Sequence, residues 1–403
     1  MSLKITLKTI STAMVLLVLF FVLAYPTSTS LRAPVIIMAF SWCFLRGILS
    51  RRFRIRTPLH TMWAIGFFAL VALSAYWHLY PQGLNDVRNN VLWSMMISMI
   101  VVDYIVTYRV SAIDFAKLLV PIALFYLANA LLNGTRDAEN RLSMGINENA
   151  FGKIGTGMAW LFMYVCCKTR WKKPMWIALL AAVSLMAFLS GSRRVVISLA
   201  IYAAGFMLFE YPSKDVVKLA GKILGALAAL IVMYIVLLNV DTLYNTMGRR
   251  VESLVLYIFA DGEADGSTFS RMNMIRLATN LFAEHPLLGA GINAFKYYTY
   301  YGTYSHSNFT ELLSGLGIVG FGLYYAPIAV FMKNSVQLWL KKSEGVIVPL
   351  CFFLAFLINE YGGVTYFSYV DHVYLAVAVG LTYCAKKASV KQRPVRIFRG
   401  KVK

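Results

Sequence analysis

The chain has 403 residues, 59% of them hydrophobic and only 14% charged, with a formal net charge of +21. A mean hydropathy of +0.64 excludes a soluble globular domain and points to a polytopic membrane protein.

Stretches apolar enough, and about 18 residues long or more, to cross the hydrocarbon core are found in chain order. They lie near residues 10–26, 31–49, 60–79, 90–108, 113–133, 152–168, 174–191, 194–210, 219–240, 307–331, 345–361 and 367–385. They predict an all-α fold of twelve transmembrane helices. The first stretch has no small-residue cleavage site and similar segments follow it, so it reads as a retained helix and not as a removed signal peptide.

Lysines and arginines in the short connections set the orientation. With Lys4 and Lys8 cytoplasmic, the cytoplasmic side also receives RRFRIR (51–56), KTRWKK (168–173), the lysines of YPSKDVVK (211–218), Lys341, Lys342 and the basic tail 386–403. Both termini are then cytoplasmic. Beside a membrane helix such a tail is an orientation signal with attraction for anionic lipid, so nucleic-acid binding is not expected. Cys43, Cys166, Cys167, Cys351 and Cys384 form no disulfide or zinc pattern.

The organisation that follows is a bundle over 1–240, a large outer loop over 241–306, a second bundle over 307–385 and the tail 386–403. A connection as long as 241–306 is expected to carry function or to be disordered, and its periodicity argues for folded structure. RRVESLVLYIF (249–259) reads as one amphipathic helix. A second opens after a Ser267/Thr268 cap, places Phe269, Met272, Ile275, Arg276, Leu281 and Phe282 on its pattern, and stops at His285–Pro286. Together they predict a cap lying along the outer membrane surface.

Charge near a membrane is costly unless it is used. Arg193 and Arg194, in SGSRR between two apolar spans, read either as snorkelling anchors or as an anion site in which guanidinium forks meet phosphate, with Ser190 and Ser192 as neutral donors. Arg249, Arg250, Arg271 and Arg276 add cations on the outer side, where positive charge is normally depleted. In YSHSNFTELLSG (304–315), His306 can accept or hold a hydroxyl proton. Asn308 and Glu311 sit where they can cap a helix or orient the ring, with capping expected of Glu311. His285 reads as a structural helix end, and His60, His78 and His372 as residues without a clustered partner.

The ordered set SGSR, Arg271 after FS, HPLLGAGINAF, SHSN and ELLSGLGIVGF resembles the O-antigen ligase and Wzy-type polymerase superfamily along residues 147–325. INENAFGKIG (146–155, containing Asn149) and the Ser307 that separates His306 from Asn308 look more like the capsule and exopolysaccharide polymerases than the ligases. The resemblance implies an integral-membrane glycosyltransferase of the GT-C type in the bacterial inner membrane, with its active site on the outer face. It implies no metal or other cofactor, and the outer face shows no D-x-D pair or His/Asp cluster suited to a divalent ion. The donor would be an oligosaccharide on undecaprenyl diphosphate, held by Arg193, Arg194, Arg271 and Arg276, while His306 serves the acceptor hydroxyl with Asn308, Glu311 and Asn149 in support. A chain-length regulator and a flippase are the protein partners implied. Two rival readings stay open: a ligase that delivers the glycan to lipid A-core, and a flippase or exporter, which would place charge in a central cavity between two related halves.

Overall fold

The computed structural model describes residues 6–50, 55–138, 140–170, 172–209, 216–259 and 266–391. The basic run 51–54, most of the lysine-bearing connection before 216, the acidic turn 260–265 and the tail from 392 onward lie outside the described residues.

The chain is helical almost throughout. It opens with α1 (Leu7–Leu19), continued by a π-helical turn (Phe20–Ala24), then α2 (Thr29–Leu49), α3 (Pro58–Leu73), α4 (Pro81–Tyr108) and α5 (Ala112–Asn133). A short antiparallel pairing of Thr135 with Ser143 and Arg136 with Leu142 follows, a small departure from the all-α expectation. Next come α6 (Glu148–Lys168), α7 (Pro174–Leu189), α8 (Arg193–Phe209) and α9 (Val216–Asn239). The cap holds α10 (Asp241–Leu243), α11 (Arg249–Phe259), α12 (Gly266–Glu284) and α13 (Phe295–Tyr298). The chain closes with α14 (Asn308–Leu340), α15 (Ile347–Tyr361) and α16 (Tyr369–Lys391).

Among the described residues seven helices are long and apolar enough to cross a membrane: Leu7–Ala24, Ser30–Leu49, Pro58–Tyr76, Pro81–Tyr108, Ala112–Asn133, Glu148–Lys168 and Asn308–Leu340. Pro174–Leu189 and Ile347–Tyr361 are apolar but shorter. The protein is therefore a multi-pass helical membrane protein. Burial divides hub from rim: 89% of the apolar window in α6 is buried, against 22% in Ser30–Leu49. The α6 sequence allows this because Gly155 and Gly157 let α7 and α16 approach its backbone, and a Cβ on Gly157 would fall 2.1 Å from the Tyr374 ring. The rim carries exposed large apolar side chains such as Ile48, Met62, Leu131 and Leu132, as expected where lipid replaces water.

α14 is not the single straight span that its apolar sequence predicts. At Gly317 the backbone takes φ 63° and ψ −166°, a conformation open essentially to glycine alone, and the helix turns back on itself. The polar groups freed by the break are met by HPLLGAGI from the cap. Ile318 N–H donates to Pro286 C=O (2.9 Å), Ala290 N–H to Ser314 C=O (2.8 Å) and Gly291 N–H to Gly315 C=O (2.9 Å). Irregular backbone inside a membrane protein persists only where protein satisfies it in this way.

α12 spans the predicted amphipathic segment, but its buried face is Met274, Ala278 and Leu281, packed on Ala290, Ala294 and Phe295. Phe269 and Met272, part of the predicted amphipathic pattern, are 66% and 47% exposed. The helix also starts before the expected cap, so Ser267 and Thr268 belong to its first turn.

Candidate active site

Ser190–Ser192 forms the tight turn between α7 and α8, with Gly191 at φ +65°. Arg193 and Arg194 are thus set in the first turn of α8, where free backbone N–H groups favour negative charge. Arg193 Nη1 donates to Thr268 Oγ1 at 3.1 Å, which ties α8 to the first turn of α12. Arg271 lies about one turn further along α12. Burial, followed by repulsion from Arg194, Arg193 and Arg250, pulls its guanidinium down to about 10. A group so placed is still charged at neutral pH and gains by meeting an anion.

His306 stands beside this cluster. Its φ of +60° is left-handed, an uncommon state for a residue with a side chain. The flanking residues enforce it. Ser305 N–H donates to Glu311 Oε2 (2.7 Å), Ser305 Oγ to Ser307 C=O (3.1 Å) and Asn308 N–H to Gly363 C=O (3.1 Å). Ser305 and Ser307 are buried while His306 stays partly open, its ring centroid 4.7 Å from that of Tyr304. Burial, then the positive fields of Arg271 and Arg194, pull its pKa down to about 4. At neutral pH the imidazole is therefore uncharged and has a lone pair available for a proton.

Asn308 and Glu311 take different tasks. Asn308 Nδ2 donates to Tyr325 Oη (2.8 Å) and Glu360 Oε2 (2.6 Å), and its Oδ1 accepts from Thr365 N–H (2.9 Å) and Tyr366 N–H (3.1 Å). It is thereby used up in joining α14, α15 and the 362–366 loop. Tyr325 Oη also donates to Glu360 Oε2 (2.5 Å), and Thr365 Oγ1 donates to Glu360 Oε1. Glu311 holds the loop before the helix through Ser305, and its Oε1 has no partner.

Sequence reasoning missed Glu360, Lys153 and Asp371. Lys153 Nζ lies 2.5 Å from Asp371 Oδ2, and both line a cavity of about 40 Å³ together with Ser192, Arg194, Ser198 and Asn359. The available signal was the cost of an ionisable residue inside an apolar span. Gly363 closes the arrangement, since a Cβ there would fall 1.9 Å from Arg194 Nη1.

Other expected residues fall elsewhere. Arg276 bonds Asn273 Oδ1 (2.9 Å) on a more exposed face of α12, whereas Arg271 joins Arg193 and Arg194. Asn149 N–H donates to Asn147 Oδ1 (3.0 Å) in the capping turn of α6. His285 follows the end of α12, with its N–H on Leu281 C=O (3.2 Å). His78 bonds Ile292 C=O (2.7 Å) and accepts from Tyr80 N–H (3.1 Å), so it does have partners. His60 and His372 are likewise not isolated: both pack on Trp63, at ring distances of 5.4 and 6.1 Å. All five cysteines are free.

The fold and these clusters define a multi-pass membrane protein in which arginines from two helices meet a neutral histidine on a strained loop. Residues 176–325, from α7 through the break in α14, match the family model of the O-antigen ligase domain. Over this stretch the chain is similar to the O-antigen ligase and Wzy-type superfamily, whose members are glycosyltransferase-like enzymes. The matched stretch contains Arg193, Arg194, Arg271 and His306, and leaves Lys153, Glu360 and Asp371 outside it. No curated protein matches the chain.

Proposed function

We propose that the protein is a polymerase that joins undecaprenyl-diphosphate-linked oligosaccharide repeat units on the outer face of the bacterial inner membrane. In this reading it is a GT-C enzyme with twelve spans and both termini in the cytoplasm. The observation that carries the reading is the meeting of Arg193, Arg194 and Arg271 beside a His306 kept neutral.

The chemistry follows from those groups. A sugar hydroxyl of the incoming unit attacks the anomeric carbon of the donor, and the anomeric C–O bond to the diphosphate breaks. His306 takes the hydroxyl proton, for which a neutral ring is required. Charge builds on the leaving diphosphate, and Arg193, Arg194 and Arg271 stabilise it with charge-assisted bonds, the part a divalent cation plays in other transferases. Glu311, Asn308 and Glu360 fix the loop so that the ring has one orientation.

The alternative within the same superfamily is a ligase that delivers the glycan to lipid A-core. Reconstituted protein is given lipid-linked repeat units alone, then with lipid A-core added. The polymerase reading predicts a ladder of longer glycans on the carrier in both cases. Product only on lipid A-core identifies a ligase, and no transfer in either contradicts the glycosyltransferase reading.

A further inference from the structure

The cavity beside Arg194 holds an unusual balance of charge. Asp371 on α16 is the carboxylate that shares the cavity with Arg194, yet it is bonded to Lys153 of α6 at 2.5 Å, with both side chains largely buried (17% and 13% exposed). Arg194 Nη1 is buried and has no acceptor. Asn359 Oδ1, on the wall of the same cavity, is buried without a donor, although Asn359 Nδ2 donates to Ser198 Oγ at 2.8 Å. A guanidinium next to a carboxylate in a low-dielectric interior ordinarily forms a forked pair. Here the lysine holds the carboxylate instead.

The geometry points to Lys153 as a positioning residue for anion capture: by holding Asp371 it keeps the Arg194 guanidinium out of a direct ion pair and available to an incoming diphosphate. This rests on the assignment of Arg194 to the donor diphosphate made above. The Lys153–Asp371 pair is neutral in sum, so it adds no charge to the site and only prevents the loss of one. Gly362 and Gly363 give the Arg194 side chain its place, since it fills the space that a Cβ at Gly363 would need. Lys153 itself touches neither donor nor acceptor in this account.

The test uses the full chain in lipid nanodiscs, with undecaprenyl diphosphate as the binding probe and lipid-linked repeat units for kinetics. Lys153→Met frees Asp371 to pair with Arg194. It is expected to weaken probe binding and raise donor KM by about tenfold or more, with kcat changed far less. Lys153→Arg should behave as wild type. Lys153→Met combined with Asp371→Asn removes both charges and should restore binding to within about threefold, the non-additivity expected of a coupled pair.

Wild-type binding in Lys153→Met overturns the inference. So does a double variant as weak as Lys153→Met, because Lys153 would then be a direct ligand of the anion. Should Lys153→Met not fold, Asp371→Asn decides: it must bind the probe at least as tightly as wild type, and weaker binding contradicts the inference. A wild-type protein that does not bind undecaprenyl diphosphate at all removes the diphosphate assignment of Arg194 itself, an outcome distinct from the others.

Discussion

Asn308 and Tyr325 are 17 residues apart in one apolar run, yet Asn308 Nδ2 donates to Tyr325 Oη at 2.8 Å. On a straight helix they would be separated by about 25 Å. The break at Gly317 brings them together, and with them the loop that carries His306. A Cβ at Gly317 would fall 2.2 Å from Leu287 C=O in addition to the strained backbone. Gly317→Ala is expected to cost at least about 1–3 kcal/mol from the backbone alone and to abolish transfer. Thermal unfolding in detergent and the reconstituted assay measure the two effects. A variant as stable and active as wild type would show that the fold-back is dispensable.

The arginines make a separate prediction. Lysine carries the charge but not the fork, so Arg193→Lys and Arg271→Lys should each lose most activity while the protein still folds and inserts. Arg276→Lys should lose little, because that side chain bonds Asn273 away from the cluster. Full activity in Arg193→Lys and Arg271→Lys together would reduce both to interfacial anchors.

His306 sets the acid limb of the pH profile. Its ring must be neutral, and burial with the nearby arginines pulls its pKa down to about 4. The kcat/KM of the free enzyme should therefore hold between pH 5 and 8 as far as this group is concerned, and fall only as pH drops through about 4. Bound diphosphate offsets the arginine charge, so the limb of kcat should lie at higher pH than that of kcat/KM. A limb in kcat/KM near 6.5, the ordinary histidine value, would mean that the arginines do not face the ring in the free enzyme.

Orientation can be read directly. Tyr300 is 83% exposed on the cap, so Tyr300→Cys in a chain lacking its own cysteines should react with an impermeant thiol reagent added to intact cells. Labelling only after lysis would put the cap in the cytoplasm and end the mechanism.

What the sequence revealed follows the range of each interaction. Seven of the twelve predicted spans and the two helices α11 and α12 were legible among the described residues because hydropathy and periodicity are local. Arg193, Arg194, Arg271 and His306 were legible as candidates because charge and polarity stand out against an apolar chain. The break in α14 was not: GLGIVGFG reads as helix, and only hydrogen bonds from Pro286–Gly291, distant in sequence, stabilise the turn. Phe269 and Met272 fitted the periodicity of α12 yet are exposed, because the face it buries is set by Ala290, Ala294 and Phe295, which lie outside the helix. Lys153, Glu360 and Asp371 are far apart in sequence, and their grouping exists only once α6, α15 and α16 are packed.

The most direct test of the account is the turnover of His306→Ala with lipid-linked repeat units in proteoliposomes, read beside its binding of undecaprenyl diphosphate. A side chain that takes the acceptor proton contributes about 10²–10⁴-fold to rate. Polymer formation should fall by that amount while folding and diphosphate binding, held by arginines on α8 and α12, stay as in wild type. Polymer made at near wild-type rate would contradict the account and take His306 out of the reaction.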